Sequence, residues 1–466
     1  MGRLLISAAH KSSGKTTISI GLCAALRARG LAVQPFKKGP DYIDPMWLAQ
    51  AAGRPCYNLD FYIQGREEII AEFIARSAHA DVSLVEGNKG LYDGLDLDGS
   101  NSNAALAKLL ALPVVLVLDT TGVIRGVAPL LLGYQAFDRE VNIAGVILNK
   151  VGGSRHEAKL RAVIEHYTDI PVLGAVHHDP GLTILERHLG LIPANEEEEA
   201  QAHIQAIGER IVQQVDLDRL LAVAAAAPPL VASLPPRPTA VAGRLRVAIA
   251  RDRAFGFYYP DDLEALQAAG AELVPFDTLR DAHLPEADAL FIGGGFPESF
   301  AAELAANRSL RQDIRDAIEA GLPAYVECGG LMYLARSLTT NGIRHEMVGI
   351  VPGDVVMHTK PVGRGYVRLQ QTAASPWARR PEDLPEIWAH EFHYSSLENL
   401  PTGLTYAYEV KRGHGIDGRH DGFVYRNLLA SYTHLRGTRR FDWPARFMEW
   451  VRRCQAHHSP RCVSAP

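Results

Sequence analysis

Short runs of Val, Ile, Leu and Ala, apolar at consecutive positions, recur along this chain and constrain its fold more than any other feature. They include RLLISAA, DVSLVEG, LPVVLVLD, IAGVILNKV and PVLGAV, then RVAIARD, ADALFIGGG and PAYVECGG. A strand with one solvated face alternates apolar and polar residues, whereas a strand apolar throughout suits a parallel sheet covered by helices on both sides. Helical patterns separate the runs, so the chain is predicted to be α/β. Polar residues punctuate the carboxyl ends of the strands, where ligands bind in such sheets.

One sharp change of composition divides the 466 residues, a length that itself favours two cores. EEEE at Glu196–Glu199 opens a polar helical stretch, and AAAAPPLVASLPPRPTAVAG (Ala224–Gly243) follows it without a hydrophobic period. Ala and Pro in that pattern read as an extended linker. A fresh strand begins at Arg244. The expected organisation is a domain over 1–195, a linker over 196–243, a second domain over 244–455 and a mobile tail over 456–466. Each domain is expected to be a mostly parallel sheet flanked by helices.

The net charge of −5, with no long basic run, argues against nucleic acid, and no apolar run reaches membrane-spanning length. Cys23, Cys56, Cys328, Cys454 and Cys462 show no CxxC pair or zinc spacing, so reduced thiols in the cytoplasm are expected.

In SAAHKSSGKTTIS (Ser7–Ser19) a strand runs into a loop and a helix follows, stopped by Gly30. That context suits a phosphate-binding loop, with backbone N–H groups and a helix N-terminus facing an anion. Gly14, Lys15, Thr16 and Thr17 would bind the phosphates, and the Thr16 hydroxyl would ligate magnesium. Ala9 stands where a glycine is usual, which is tolerable if its φ is negative. Further hard oxygens come from FKKGPDYIDP, with Asp41 and Asp44, and from LVEGNKGLYDG, with Glu86 and Asp93. Lys37 or Lys38 adds positive charge beside a triphosphate. Asn149, ending IAGVILNK, stands where an amide reads a base edge or simply serves a turn.

In PAYVECGGLMYL, Cys328 lies between strand and helix, followed by Gly329 and Gly330. A thiol on such an elbow projects as a nucleophile, and the next N–H helps to hold an oxyanion. FIGGGFPE offers Gly294 and Gly295 at close approach. His434 in LLASYTHL is the favoured general base, with His390 and His393 in WAHEFHYS as runners-up. Cys23 and Cys56 read as buried apolar residues.

At these residues the chain resembles the cobyrinic acid a,c-diamide synthase family, from about Leu4 to Trp450. FKKGPDYIDP, VEGNKGLYDG, GVILNKVG, ERHLGL, GGGFPE, ECGGLMYL, HEFHYS and LLASYTHL carry the resemblance in family order. It implies a P-loop NTPase-like synthetase joined to a flavodoxin-like class I glutamine amidotransferase. It further implies ATP, Mg2+ and L-glutamine, with amides formed on the a and c acetates of a corrin-type tetrapyrrole through an acyl phosphate. Carried over residue by residue, Lys15 and Thr16 serve phosphate and metal. Asp41, Asp44, Glu86 and Asp93 serve metal, phosphoryl transfer and substrate, with Asp41 and Glu86 beside Thr16 at the metal. Tyr42 and Asp93 face the substrate, Asn149 the base, Cys328 is the glutaminase nucleophile and His434 its base.

Departures from the commoner pattern stand out. His10 and Lys11 are unusual in the loop, Arg436 occupies the position where many glutaminases place a glutamate, and the group orienting His434 is unidentified. Lys360 and Arg364 in MHTKPVGRGYV are candidates to meet a polycarboxylate. Sirohaem or nickel sirohydrochlorin is the alternative substrate. A partition or regulatory ATPase and a tetrapyrrole-binding pseudo-enzyme are the readings of another class. Oligomeric state stays open, with a homodimer among the allowed states.

Overall fold

The computed structural model describes residues 2–230 and 243–458, apart from 183, 185, 188, 189, 197, 198 and 378. The middle of the expected linker and most of the expected tail, Cys462 included, lie outside the described residues, as do two residues of ERHLGL. The chain separates into two compact units, Met1–Pro236 and Arg237–Pro466.

The first unit alternates β1 (Gly2–Ala8), α1 (Lys15–Ala28), β2 (Val33–Lys38), α2 (Ile43–Ala52), β3 (Tyr57–Leu59) and α3 (Arg66–Ser77). It continues through β4 (Val82–Glu86), α4 (Asn103–Leu109), β5 (Val114–Asp119), α5 (Val127–Phe137), β6 (Ile143–Val151), α6 (Ser154–Tyr167) and β7 (Val172–His177). The strands form one parallel sheet in the order β3-β2-β4-β1-β5-β6-β7. Helices α3 to α6 cover one face, where Phe73, Leu106, Leu131 and Leu160 pack on Leu5, Phe36, Val85 and Leu116. Burial of the strands on both faces is what their continuous apolar runs require.

Residues 200–225 depart from the expected linker. They form α7 (Ala200–Gln214) and α8 (Leu217–Ala225), which pack on the uncovered face beside α1. Ile204, Ile207 and Ile211 of α7 are buried at helical spacing, each contributing about 1.5–3 kcal/mol relative to exposure. Gly21 of α1 makes the approach feasible, because a Cβ there would lie 2.4 Å from Ile211 Cγ1. Asp216 N–H also donates to the Leu173 carbonyl of β7 at 2.8 Å. The polar, alanine-rich composition concealed an amphipathic stripe, so this unit extends well past residue 195. Two-residue strands β8 (Glu186–Arg187) and β9 (Gly190–Leu191) pair in between.

The second unit opens with β10 (Leu245–Ala250), β11 (Phe255–Phe257), α9 (Pro260–Ala268), β12 (Ala271–Phe276), β13 (Ala289–Ile292) and β14 (Gly294–Gly295). Next come α10 (Ala301–Ala306), α11 (Arg308–Glu319), β15 (Ala324–Glu327), α12 (Gly329–Leu334), β16 (Ala335–Thr340), β17 (Ile343–Glu346) and β18 (Val351–Met357). It closes with β19 (Gly363–Gln371), β20 (Ile387–His393), β21 (Ser395–Glu398), β22 (Tyr406–Arg412), β23 (His420–Tyr425), β24 (Leu428–Ser431) and α13 (Trp443–His458).

Its main sheet runs β12-β10-β13-β15-β24-β23-β22-β19-β20. The first five strands are parallel, and the rest extend the sheet antiparallel. α11 covers one face, and α9 with α13 the other. The α/β class is as expected, with an antiparallel extension added to the parallel half. Among the described residues no helix is long and apolar enough to cross a membrane.

Candidate active sites

Residues 9–14 turn the chain from β1 into α1, whose N-cap is Gly14 at φ +85°. Ala9 is absent from the positive-φ residues, so its methyl group carries no backbone strain. The loop is fastened from outside. Leu91 N–H donates to Ala8 O (2.8 Å), Tyr134 Oη to Ala9 O, Lys150 Nζ to Ser12 O (3.1 Å) and Asn149 Nδ2 to Ser13 O (2.9 Å). Its carbonyl oxygens are thereby engaged at a helix N-terminus, an arrangement that suits an anion. His10 and Lys11 are exposed, Thr17 is half-buried, and Lys15 is buried. Burial pushes the Lys15 ammonium down, and Lys37 adds to that, against Glu86, Asp44 and Asp93.

Strand register assembles the acids. Lys37 of β2 lies opposite Glu86 at the end of β4, and β4 pairs with β1, so the cluster meets the first turn of α1. Thr16 Oγ1 donates to Glu86 Oε1 at 2.7 Å and to Asp44 Oδ2 at 3.3 Å. Lys37 Nζ bonds Glu86 Oε1 at 2.8 Å and Asp44 Oδ2 at 2.5 Å, and lies 3.8 Å from Asp41 Oδ2. Lys37, expected beside a triphosphate, thus sits among three carboxylates.

Burial alone would lower the Lys37 pKa, but Asp44, Glu86 and Asp41 outweigh it and hold the ammonium well above its ordinary value. Burial pushes Asp41 up to about 7, with Asp44 adding repulsion. Burial raises Glu86 too, whereas at Asp44 the pairing with Lys37 overcomes it and lowers the pKa. Glu86 Oε2 is buried and makes no hydrogen bond. Among the described residues no three His, Cys, Asp or Glu side chains are grouped to hold a metal ion by themselves.

Asp93 lies close to this loop: its Oδ2 accepts from Gly90 N–H at 2.9 Å, and a Cβ on Gly90 would meet Ala9 O at 2.7 Å. Tyr42 is buried at the start of α2, between Asp41 and Asp44. Asp41 Oδ1 accepts from Ile43 and Asp44 N–H, so this carboxylate also starts the helix. Lys38 donates to Asn88 Oδ1 at 3.2 Å, and burial lowers its pKa to about 8.

In the second unit Cys328 stands on the turn between β15 and α12 at φ +47°, ψ −100°. For a residue with a side chain this conformation costs roughly 1–3 kcal/mol. Cys328 N–H donates to Ser431 O at 2.7 Å, which ties the elbow to β24. β15 and β24 pair with Glu327 opposite Ser431, so the chain leaving β24 brings His434 beside the thiol.

His434 is the imidazole hydrogen-bonded to the Cys328 side chain. Burial would lower its pKa, but Cys328 and Glu327 outweigh burial and raise it to about 10. Gly294 leaves room for the ring, since a Cβ there would lie 2.5 Å from His434 Cε1. Gly295 and Gly329 approach so closely that a Cβ on Gly329 would lie 3.0 Å from Gly295 N. The expected pocket residues are thus brought together.

Of the runners-up, His390 stacks on His434 at 5.0 Å between centroids, and burial drives its pKa well down. His393 stacks instead on Tyr432 at 4.0 Å.

Two residues escaped the sequence reading. Glu327 Oε2 lies 3.4 Å from His434 Nδ1, and Oε1 accepts from Tyr325 Oη (2.5 Å) and Leu435 N–H (2.9 Å). Buried Asp421 accepts from Tyr432 N–H (3.0 Å) and Thr433 N–H (2.9 Å), shaping the segment that carries His434. Adjacency to Cys328 was the only signal for Glu327, and Asp421 had none, because its partners come from another strand. Arg436 is buried against Asp261 at 2.8 Å, with its guanidinium over the Tyr259 ring. Lys360 and Arg364 are exposed. Cys23 and Cys56 are buried and their thiols pushed up by burial.

Residues 5–192 match the sequence profile of the CobQ/CobB/MinD/ParA nucleotide binding domain, and residues 246–440 that of the CobB/CobQ-like glutamine amidotransferase domain. The chain is 50% identical over 449 residues to a cobyrinate a,c-diamide synthase of Magnetococcus marinus, covering 95% of both chains. It is 40% identical over 487 residues to a protein of the same name in Methanosarcina acetivorans, covering 98% of this chain and 97% of the other. A third, in Listeria innocua, is 40% identical over 437 residues, covering 93% and 96%. Identity of this degree spans both units, and the chain belongs to the cobyrinate a,c-diamide synthase family.

Proposed function

We propose that this protein converts the a and c acetate carboxylates of a cobyrinate-type tetrapyrrole into amides, using ATP and the amide nitrogen of glutamine. The observation that carries the reading is the 50% identity to a cobyrinate a,c-diamide synthase across 95% of both chains. The buried Cys328–His434 pair and the fastened loop before Lys15 support it, because the reaction needs both chemistries.

A carboxylate resists ammonia because its leaving group would be oxide. In the first unit the acetate oxygen attacks the γ-phosphoryl group of ATP, ADP leaves, and an acyl phosphate forms. The loop N–H groups and Lys15 hold the charge that develops. Ammonia then attacks the acyl carbon and phosphate departs. Tyr42 and Asp93 face the substrate. Asp44 stays ionised beside Lys37, and Asn149 serves the nucleotide through the loop it fastens.

The donor set fits magnesium: Thr16, Asp41 and Glu86 offer hard oxygens, and Glu86 Oε2 is buried without a hydrogen bond. One or two carboxylates, completed by phosphate and water oxygens, are what this ion takes, so no cage of three is needed. When bound, it neutralises phosphate charge.

In the second unit Cys328 gives its proton to His434 and attacks the glutamine carboxamide. Backbone N–H groups of Gly295 and Gly329 receive the oxyanion. His434 protonates the departing nitrogen, ammonia leaves, and water hydrolyses the thioester to glutamate. A protein that consumes ATP and glutamine is proposed to work in the cytoplasm.

Mass spectrometry after incubation with ATP, Mg2+ and glutamine tests the reading on cobyrinate, hydrogenobyrinate, sirohydrochlorin with and without nickel, and sirohaem. Two amide substitutions on cobyrinate are expected. Amidation of sirohaem alone would move the reading to that substrate. Glutamine hydrolysis with no product from any of them would end it.

A further inference from the structure

We propose that Glu327, the residue immediately before the nucleophile, is the positioning residue that orients His434 for glutamine hydrolysis. The inference rests on the glutaminase reading above and goes beyond it. A general base needs a group that fixes its ring and stabilises the imidazolium formed when the thiol is deprotonated. The position two residues after His434 cannot supply that group, because Arg436 is there, buried and paired with Asp261.

Glu327 supplies it from the opposite strand. Its side chain and that of His434 are each 3% exposed, with Oε2 3.4 Å from Nδ1. Oε1 is anchored by Tyr325 Oη and by the N–H of Leu435, the residue after His434. One carboxylate oxygen thus grips the backbone that carries the ring while the other meets the ring itself. With Nδ1 turned toward Glu327, Nε2 is the nitrogen left to serve Cys328. A separation of 3.4 Å suits a site that tightens when substrate binds. The charged or titratable groups facing this imidazole are Cys328, Glu327, His390 and, through His390, Arg436. Among the described residues Glu327 is the carboxylate paired with this ring.

The placement follows from the fold. β15 ends in Glu327, and the elbow at Cys328 sends the next side chain away from the strand's course. Adjacent residues therefore approach one imidazole from two directions.

The test uses the full chain and compares Glu327→Gln, Glu327→Asp and Cys328→Ala, measuring glutamate release and, separately, amide formation from added ammonium. Glu327→Gln is expected to lower glutaminase kcat by roughly 10²–10⁴-fold with little change in the KM for glutamine. The pKa assigned to His434 in the pH–rate profile moves down, because an anion favouring the imidazolium is gone. Glu327→Asp restores part of the rate, and ammonium-driven synthesis persists in both. Wild-type glutaminase with an unshifted pH profile in Glu327→Gln, beside an inactive Cys328→Ala, overturns the inference. So does equal loss of glutamine- and ammonium-driven synthesis in both Glu327 variants, which marks a purely structural role. Glutaminase surviving in Cys328→Ala would instead defeat the reading beneath it.

Discussion

Asn149 Nδ2 donates a 2.9 Å hydrogen bond to the carbonyl of Ser13, tying the end of β6 to the turn that precedes Lys15. The amide also fills the space beside Gly14, where a Cβ would lie 2.2 Å from the same nitrogen. Asn149→Ala removes the tie, and the KM for ATP is expected to rise about tenfold, the effect of losing roughly 1.4 kcal/mol of loop ordering. Initial-rate kinetics over a range of ATP concentrations check this. Glutamine hydrolysis in the second unit serves as the control.

Lys37 is the sole lysine bonded to both Glu86 and Asp44 among the described residues. Lys37→Met strands the buried Glu86 and the half-buried Asp44, and breaking such a buried pair costs about 3–5 kcal/mol. Calorimetry is expected to show the first unit melting at a lower temperature. Lys15→Ala is expected to abolish amide formation from either nitrogen donor with a smaller loss in melting temperature. Equal effects of the two variants on melting would contradict the separation of structural and phosphate-binding lysines.

Cys328→Ser keeps the elbow and removes the reactive thiol. Glutamine-driven synthesis is expected to fall by at least about 10³-fold, since a hydroxyl ionises far less readily than a thiol. Synthesis from ammonium continues. Parallel assays with the two donors decide, and equal loss of both would make Cys328 a structural residue.

Asp354 joins the small sheet of β16, β17, β18 and β21, accepting from Ser337 Oγ and Arg336 Nη2 at 2.8 Å, Asn399 Nδ2 at 3.0 Å and Arg344 Nη2 at 3.1 Å. Burial would raise its pKa, but these partners overcome it and hold the carboxylate below its ordinary range. A depressed folded pKa stabilises fully above the unfolded value of about 3.9 and is lost as pH falls below it. Asp354→Asn is therefore expected to cost about 1–3 kcal/mol at pH 7 and less at pH 3. Denaturant titrations of both proteins at the two pH values measure the difference. A gap that widens in acid would reverse the sign.

Local sequence specified most of the parts. Continuous apolar runs mark strands buried on both faces wherever they occur, and SSGKTT or ECGG carries its own turn chemistry, so the loop and the elbow bearing Cys328 were readable in place. The residues favoured His434 over His390 and His393, and the resemblance strengthened that choice. A helical stretch after Glu196–Glu199 was readable, but it was assigned to the linker, because three isoleucines in a polar, alanine-rich stretch become a core face only against Gly21.

What the chain order could not reveal was which groups meet across strands. Lys37 meets Glu86 because β2 and β4 lie side by side, and Asp421 holds the His434 segment from a neighbouring strand. Glu327 reaches the imidazole only after β24 docks on β15. Propensity and turn geometry act over a few residues and are written in the sequence. Charge pairing and hydrogen bonding act over a few ångströms, and only the folded sheet sets those distances.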